Sequence, residues 1–110
     1  MSLEGKLKAL GQKMNEDSSH YKGFHADFSF EIKDKEENWS VNFKGDQVEL
    51  KNDLLNEPTC LLKMNEENFL KLLDGSLNAT TAFMMGKIKA DGELTKALKL
   101  QKILNEYQDN

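Results

Sequence analysis

The sequence predicts an α+β domain, and three observations carry that prediction. Apolar and polar residues alternate from Phe24 to Lys33, and the alternation resumes at Trp39–Phe43 and Val48–Leu50. That is the period of a half-buried strand. Apolar residues recur at helical spacing near both ends of the chain, as Leu3, Leu7, Leu10 and Met14 and then as Leu94, Leu98 and Leu104. Between these come a further strand pattern, two short apolar helical stretches and a last strand. The order helix, three strands, strand, two helices, strand, helix is α+β by pattern alone.

The chain has 110 residues and is expected to be one domain, residues 1–110. A domain of this size buries roughly two-thirds of the surface its unfolded chain exposes. Its hydrophobic fraction of 38% and charged fraction of 31% are those of a globular protein, which excludes disorder. No apolar run approaches the roughly 18 residues needed to span a bilayer. Met1–Glu4 does not lead into an apolar block, so no secretory signal is expected. Tyr107–Asn110 carries no peroxisomal or other address. Cys60 is alone, which excludes an internal disulfide and fits a reducing cytoplasm, the expected location.

A formal charge of -4 argues against nucleic acid as a partner, since that needs a basic face. The charge is uneven, however. Acids outnumber lysines from Glu31 to Glu57, whereas Lys87, Lys89, Lys96, Lys99 and Lys102 face only Asp91 and Glu93. A solvated helix face is the simpler account. The sharper one is a transient docking patch for an anionic membrane surface.

Leu3, Leu7, Leu10 and Met14 predict a first amphipathic helix, weakened by Gly5 and Gly11, each costing up to about 1 kcal/mol relative to alanine. Residues 15–23 form a polar loop. Phe24, Ala26, Phe28, Phe30 and Ile32 define the buried face of the first strand, with His25, Asp27, Ser29, Glu31 and Lys33 on a wet one. After a charged turn at Asp34–Glu37, Trp39, Val41 and Phe43 make the second strand. Gly45-Asp46 turns the chain into Val48 and Leu50, completing a three-stranded meander. Pro58 marks a loop or strand start, and Thr59–Met64 is a fourth strand with Cys60, Leu62 and Met64 inward. Asn65 caps a helix beginning Glu66-Glu67, with Met64 and Phe69 at the positions of a hydrophobic staple and Gly75 as its stop. Asn78 caps a second short helix, Ala79–Met85, ended by Gly86. Ile88 and Ala90 anchor a fifth strand, and Leu94, Ala97, Leu98, Gln101 and Leu104, widened by Ile103 and Tyr107, form the inner face of the last helix.

Groups for catalysis do not converge, and no enzyme activity, cofactor or metal is expected. His20 and His25 lie in a loop and on a polar strand face, with no carboxylate or cysteine at ligand spacing. Cys60 reads as a buried structural thiol. No phosphate-cradling glycine pattern occurs, and the paired acids Glu36-Glu37 and Glu66-Glu67 are neighbours that cannot flank a substrate.

The elements after Met64 are unusually greasy. Phe69, Leu70, Leu72 and Leu73 are followed by Ala82, Phe83, Met84 and Met85, and thioether chains conform to irregular ligands. On residues alone, plain core packing is the simpler account, and a pocket for an acyl chain or ring system the sharper one. The run Leu77-Asn78-Ala79-Thr80-Thr81-Ala82-Phe83-Met84-Met85-Gly86-Lys87-Ile88-Lys89-Ala90-Asp91-Gly92 resembles the signature region of the sterol carrier protein 2 family. Asp74-Gly75 before it, Leu98–Gln101 after it, Thr59–Phe69 and Trp39 are also similar to that family, in the same order. The chain departs from it at Ala79, where the family often has proline, at Thr59, where aspartate is common, and in lacking the peroxisomal tripeptide of the animal members.

The resemblance implies a five-stranded, mainly antiparallel mixed sheet with one crossover, helices over one face, and an apolar tunnel between the layers. It implies a non-catalytic carrier whose partner is a hydrophobic lipid: a fatty acid, fatty acyl-CoA, phospholipid, sterol or isoprenoid. The alternative is an accessory module that presents such a molecule, a quinone precursor for example, to lipid-metabolising or other partner enzymes. The lipid-facing candidates are Phe69, Leu72, Leu73, Leu77, Phe83, Met84, Met85, Ile88, Leu98 and Leu104. The last helix and the Ala79–Met85 turn are the walls expected to move.

Overall fold

A computed structural model describes residues 2–108; the end of the C-terminal stretch read for a targeting address lies outside that range. The elements are α1 (Leu3–Glu16), β1 (His25–Ile32), β2 (Glu37–Lys44), β3 (Val48–Lys51), β4 (Cys60–Met64), α2 (Glu66–Asp74), α3 (Ala79–Met84), β5 (Lys89–Gly92) and α4 (Leu94–Glu106). They form one five-stranded sheet in the order β3-β2-β1-β4-β5. Only the β1–β4 pair is parallel, so the mixed α+β architecture with one crossover is observed.

Alternation puts Ala26, Phe28, Phe30 and Ile32 on the same side as Trp39, Val41 and Phe43 and as Cys60, Leu62 and Met64, and all of these are buried. The helices cover this side. The opposite side is less wet than the sequence suggests. Ser29 and Ser40, adjacent across β1 and β2, are both buried, with hydroxyls 2.9 Å apart. The chain leaving β3 crosses behind them on its way to β4. Ser40 donates to the Asp53 carbonyl at 2.6 Å, and the Leu55 amide donates to Ser29 at 3.0 Å. These bonds satisfy polar groups that would otherwise be costly to bury, and they hold the crossover that makes β4 parallel to β1.

The helix ends follow the sequence signals. Asn65 accepts from the Asn68 amide at 2.9 Å and Asn78 from the Thr81 amide at 3.0 Å. Met64 and Phe69, the two staple positions, are fully buried. Gly11 lets α1 lie close to β3, where a Cβ would stand 3.0 Å from a Leu50 methyl. Asn15 then clasps the backbone of Val48, accepting from its amide at 2.8 Å and donating to its carbonyl at 3.1 Å.

Three expectations are corrected. β1 begins at His25, with Phe24 just before it and half-buried, and Glu37 already belongs to β2. In β5, Ala90 stands opposite Leu62 but is exposed, because β5 is an edge strand; the anchor is Ile88, buried just before it. The inner face of α4 is Ala97, Leu100, Ile103, Leu104 and Tyr107, turned away from the Leu94–Leu98–Gln101 line. Gln101 instead bridges to the start of α3, donating to the Leu77 carbonyl and accepting from the Ala79 amide at 3.2 Å.

Tyr107 latches the end of α4 to the end of α1, donating its hydroxyl to the Asp17 carbonyl. Burial, chiefly, pushes its hydroxyl from the ordinary 10.0 up to about 12. Between those values the folded chain keeps a proton that the unfolded chain has released, so stability falls as pH rises through the window. Tyr107→Phe is expected to cost about 0.5–1.5 kcal/mol at neutral pH. It should also lose less stability than the unsubstituted chain between pH 10 and 12; urea unfolding across that range reads both effects.

Candidate functional site

The helix layer and the sheet enclose a hollow of about 20 Å³ whose walls are wholly apolar. α1 contributes Leu7, Leu10, Gly11 and Met14; the sheet contributes Phe30, Val41, Phe43 and Leu50; Leu73 comes from α2, and Leu100 and Leu104 from α4. The volume suits about one water molecule, and the walls offer such a water no polar side chain. The site is therefore a closed apolar seam. Ligand pockets run to about 300–1,000 Å³, so an acyl chain enters only if a wall moves.

One corner of the seam lies beside a surface groove. Leu10 and Leu73 line both the hollow and a groove of about 430 Å³ between α1, the end of α2 and Tyr107–Gln108. Polar contacts close this corner. Lys6 pairs with Asp74, Lys13 donates to the Tyr107 carbonyl at 2.8 Å, and Gln108 donates to the Leu73 and Leu104 carbonyls at 2.7 Å each. The Lys6–Asp74 pair is partly exposed, where such pairs contribute about 1 kcal/mol or less. The corner is latched by bonds that cost little to exchange for water.

The ten residues expected to face lipid fall into three groups. Leu73 and Leu104 line the hollow. Phe69, Leu72, Leu77 and Ile88 are buried in the surrounding core, and Phe83 and Leu98 are half-buried. Met84 and Met85 are 83% and 63% exposed and line no part of the seam. Short α3 turns only Ala79 and Ala82 fully inward. Much of the lining, on α1 and on the sheet, was missed by sequence reasoning. Its signal was present in the alternation and in the leucine spacing of α1, but neither says which strands α1 covers.

The reactive side chains are dispersed. His20 packs edge-on against Tyr107 with ring centres 4.9 Å apart, while His25 sits by the Gly45 turn. Cys60 is buried, and desolvation raises its thiol above the ordinary value. Among the described residues, no three His, Cys, Asp or Glu side chains are grouped to hold a metal ion, and no helix is long and apolar enough to cross a membrane.

Comparison with known proteins agrees with the fold. The model of the SCP-2 sterol transfer family matches residues 6–105. Human sterol carrier protein 2 is 30% identical over 102 residues, which are 88% of this chain but 19% of the human protein. The chain thus spans about a fifth of the length of that curated relative. The solution structure of palmitated SCP2L2 from Aedes aegypti covers the whole of both chains with a TM-score of 0.75 at 21% identity. The UbiJ-SCP2 ubiquinone synthesis protein covers 92% of this chain and 94% of its own with a TM-score of 0.73 at 14% identity.

Proposed function

Because the chain belongs to the SCP-2 sterol transfer family, we propose that it is a non-catalytic cytoplasmic carrier of a single hydrophobic lipid. The cargo is a fatty acid, fatty acyl-CoA, phospholipid, sterol or isoprenoid, held between the helices and the sheet and given up at an anionic membrane surface or to a lipid-metabolising enzyme. The observation that carries this reading is the seam lined by leucines, Met14, Val41 and phenylalanines, which shares Leu10 and Leu73 with the lining of a surface groove. Entry releases the contacts around Tyr107 and Gln108 and swings α1 or α4 away from the sheet. Burying an acyl chain returns about 0.8 kcal/mol per methylene, so a few enclosed methylenes offset the broken polar contacts. Leu73 and Leu104 are the sequence candidates assigned to the lipid wall.

The likeness to the ubiquinone synthesis protein favours a second reading, in which the same seam presents a quinone precursor to partner enzymes. Native mass spectrometry of protein purified from its own host distinguishes the two. A co-purifying acyl lipid or sterol supports the carrier, and a prenylated aromatic supports presentation. Protein that carries nothing and takes up no fluorescent fatty acid at micromolar concentration contradicts both.

A further inference from the structure

The two edges of the sheet differ in their cover. At the β3 edge, α1 packs against the strand, and Asn15 occupies both the amide and the carbonyl of Val48. At the β5 edge, Lys89, Ala90, Asp91 and Gly92 are all exposed. An uncovered edge is a template for another strand, and folded proteins normally blunt it. The Glu93 amide donates to the Thr59 carbonyl at 3.0 Å, one step beyond the Cys60–Gly92 pair, so Thr59 and Glu93 form a hydrogen-bonded pair. Such pairs alternate along an antiparallel ladder. Lys89 and Asp91 therefore turn their amides and carbonyls toward β4, and Ala90 turns its own outward. Alternation also puts the side chains of Lys63, Lys89 and Asp91 on the face away from the helices. There Lys89 stands opposite Lys63, like charges that oppose pairing, and Asp91 stands opposite Leu61. None of these three charges forms an ion pair among the described residues.

We propose that β5 is the interface through which two copies of this chain join, antiparallel about a two-fold axis through Ala90. The strand's own charge order selects a second copy as the occupant. Reversal about Ala90 sets Lys89 against Asp91 of the second copy, and Asp91 against Lys89 of the second copy, so each meets an opposite charge. The incoming acid also sits beside the Lys63–Lys89 pair and offsets its repulsion. At the axis, each Ala90 amide donates to the Ala90 carbonyl of the other copy. An isologous contact of this kind closes at two copies. It yields a continuous sheet of twice five strands, with both helix layers on one side. Four residues make a short interface, so the dimer is weak and reversible. The pairing is independent of what the seam holds.

Sedimentation equilibrium over a concentration series up to about 1 mM, in about 0.1 M salt, tests the pairing. The unsubstituted chain should show a reversible monomer–dimer equilibrium. Lys89→Asp and Asp91→Lys each replace two opposite-charge pairs by two like-charge pairs, and each should weaken self-association at least about tenfold. Mixed in equal amounts, the two variants regain both opposite pairs and should form a heterodimer as readily as the unsubstituted chain dimerises. Lys89→Asp/Asp91→Lys, which reverses the charge order within one chain, should dimerise like the unsubstituted chain. That double variant decides the matter if either single variant fails to fold by circular dichroism. An unsubstituted chain that stays monomeric overturns the proposal. So do folded single variants that dimerise undiminished, a mixture of them that stays monomeric, or a double variant that does not dimerise.

Discussion

Leu104→Ala should destabilise the ligand-free chain by about 2–5 kcal/mol, and a long-chain fatty acid should recover much of that loss. Leu104 is buried on α4 and forms part of the seam, so its truncation removes packing and leaves a larger void. Leucine-to-alanine changes in well-packed interiors cost about that amount, the exact figure depending on how far the walls collapse. An acyl chain in the seam would fill the space that the missing methyl groups leave. It would also meet a site already part-way open, so less of its binding energy goes into moving α4. Ligand at about a hundredfold excess over its dissociation constant stabilises an ordinary site by about 2.7 kcal/mol. The gain in Leu104→Ala should exceed the gain in the unsubstituted chain. Chemical denaturation of both proteins with and without palmitate measures the two differences directly. Equal gains would place the ligand away from Leu104.

The second large effect is expected at Gly92, the last residue of β5. Its φ of 117° is a conformation that residues with a Cβ rarely adopt, and a Cβ there would stand 2.3 Å from the Thr59 carbonyl oxygen. That oxygen already accepts the Glu93 amide at 3.0 Å, the bond that joins the end of β5 to the start of β4. Gly92→Ala must therefore strain the backbone or part the strands. Strain of this kind costs about 1–3 kcal/mol, and parting β4 from β5 adds the loss of edge pairing and of the fixed entry into α4. Unfolding midpoints give the total. Hydrogen exchange should localise it, with faster exchange at the Glu93 amide than in β1 and β2. Uniform exchange would mean that β5 is not separately at risk.

Much of the fold was legible because its signals are local. The aromatic alternation of β1 and β2, the asparagine caps and the glycine after α2 each depend on residues a few positions apart. What was not legible depends on distant partners. Leu94, Leu98, Leu100 and Leu104 offer two overlapping helical faces, and only docking against the core selects the one through Leu100. Ser29 and Ser40 look like solvent-facing residues until the chain between β3 and β4 crosses over them.

Two of the ten lipid-facing candidates coincide with the seam, for the same reason. Leu73 and Leu104 belong to helices whose inner faces the sequence marks, and they line the seam. Met84 and Met85 are as apolar as any wall residue, but hydrophobicity carries no direction, and α3 spends its inward positions on Ala79 and Ala82. The part supplied by α1 and β1–β3 is assembled across long stretches of sequence. Gly11 and the Asn15–Val48 clasp set that approach, and neither forms a motif.

The central claim is that a lipid occupies the seam between the helices and the sheet. Titrating methyl-labelled protein with palmitate, followed by nuclear magnetic resonance, tests it most directly. The account predicts saturation at one equivalent, with the largest shifts at Leu7, Leu10, Val41, Leu73 and Leu104 and little change at Met84 and Met85. No saturable shift, or shifts confined to the α3–β5 turn, would contradict it.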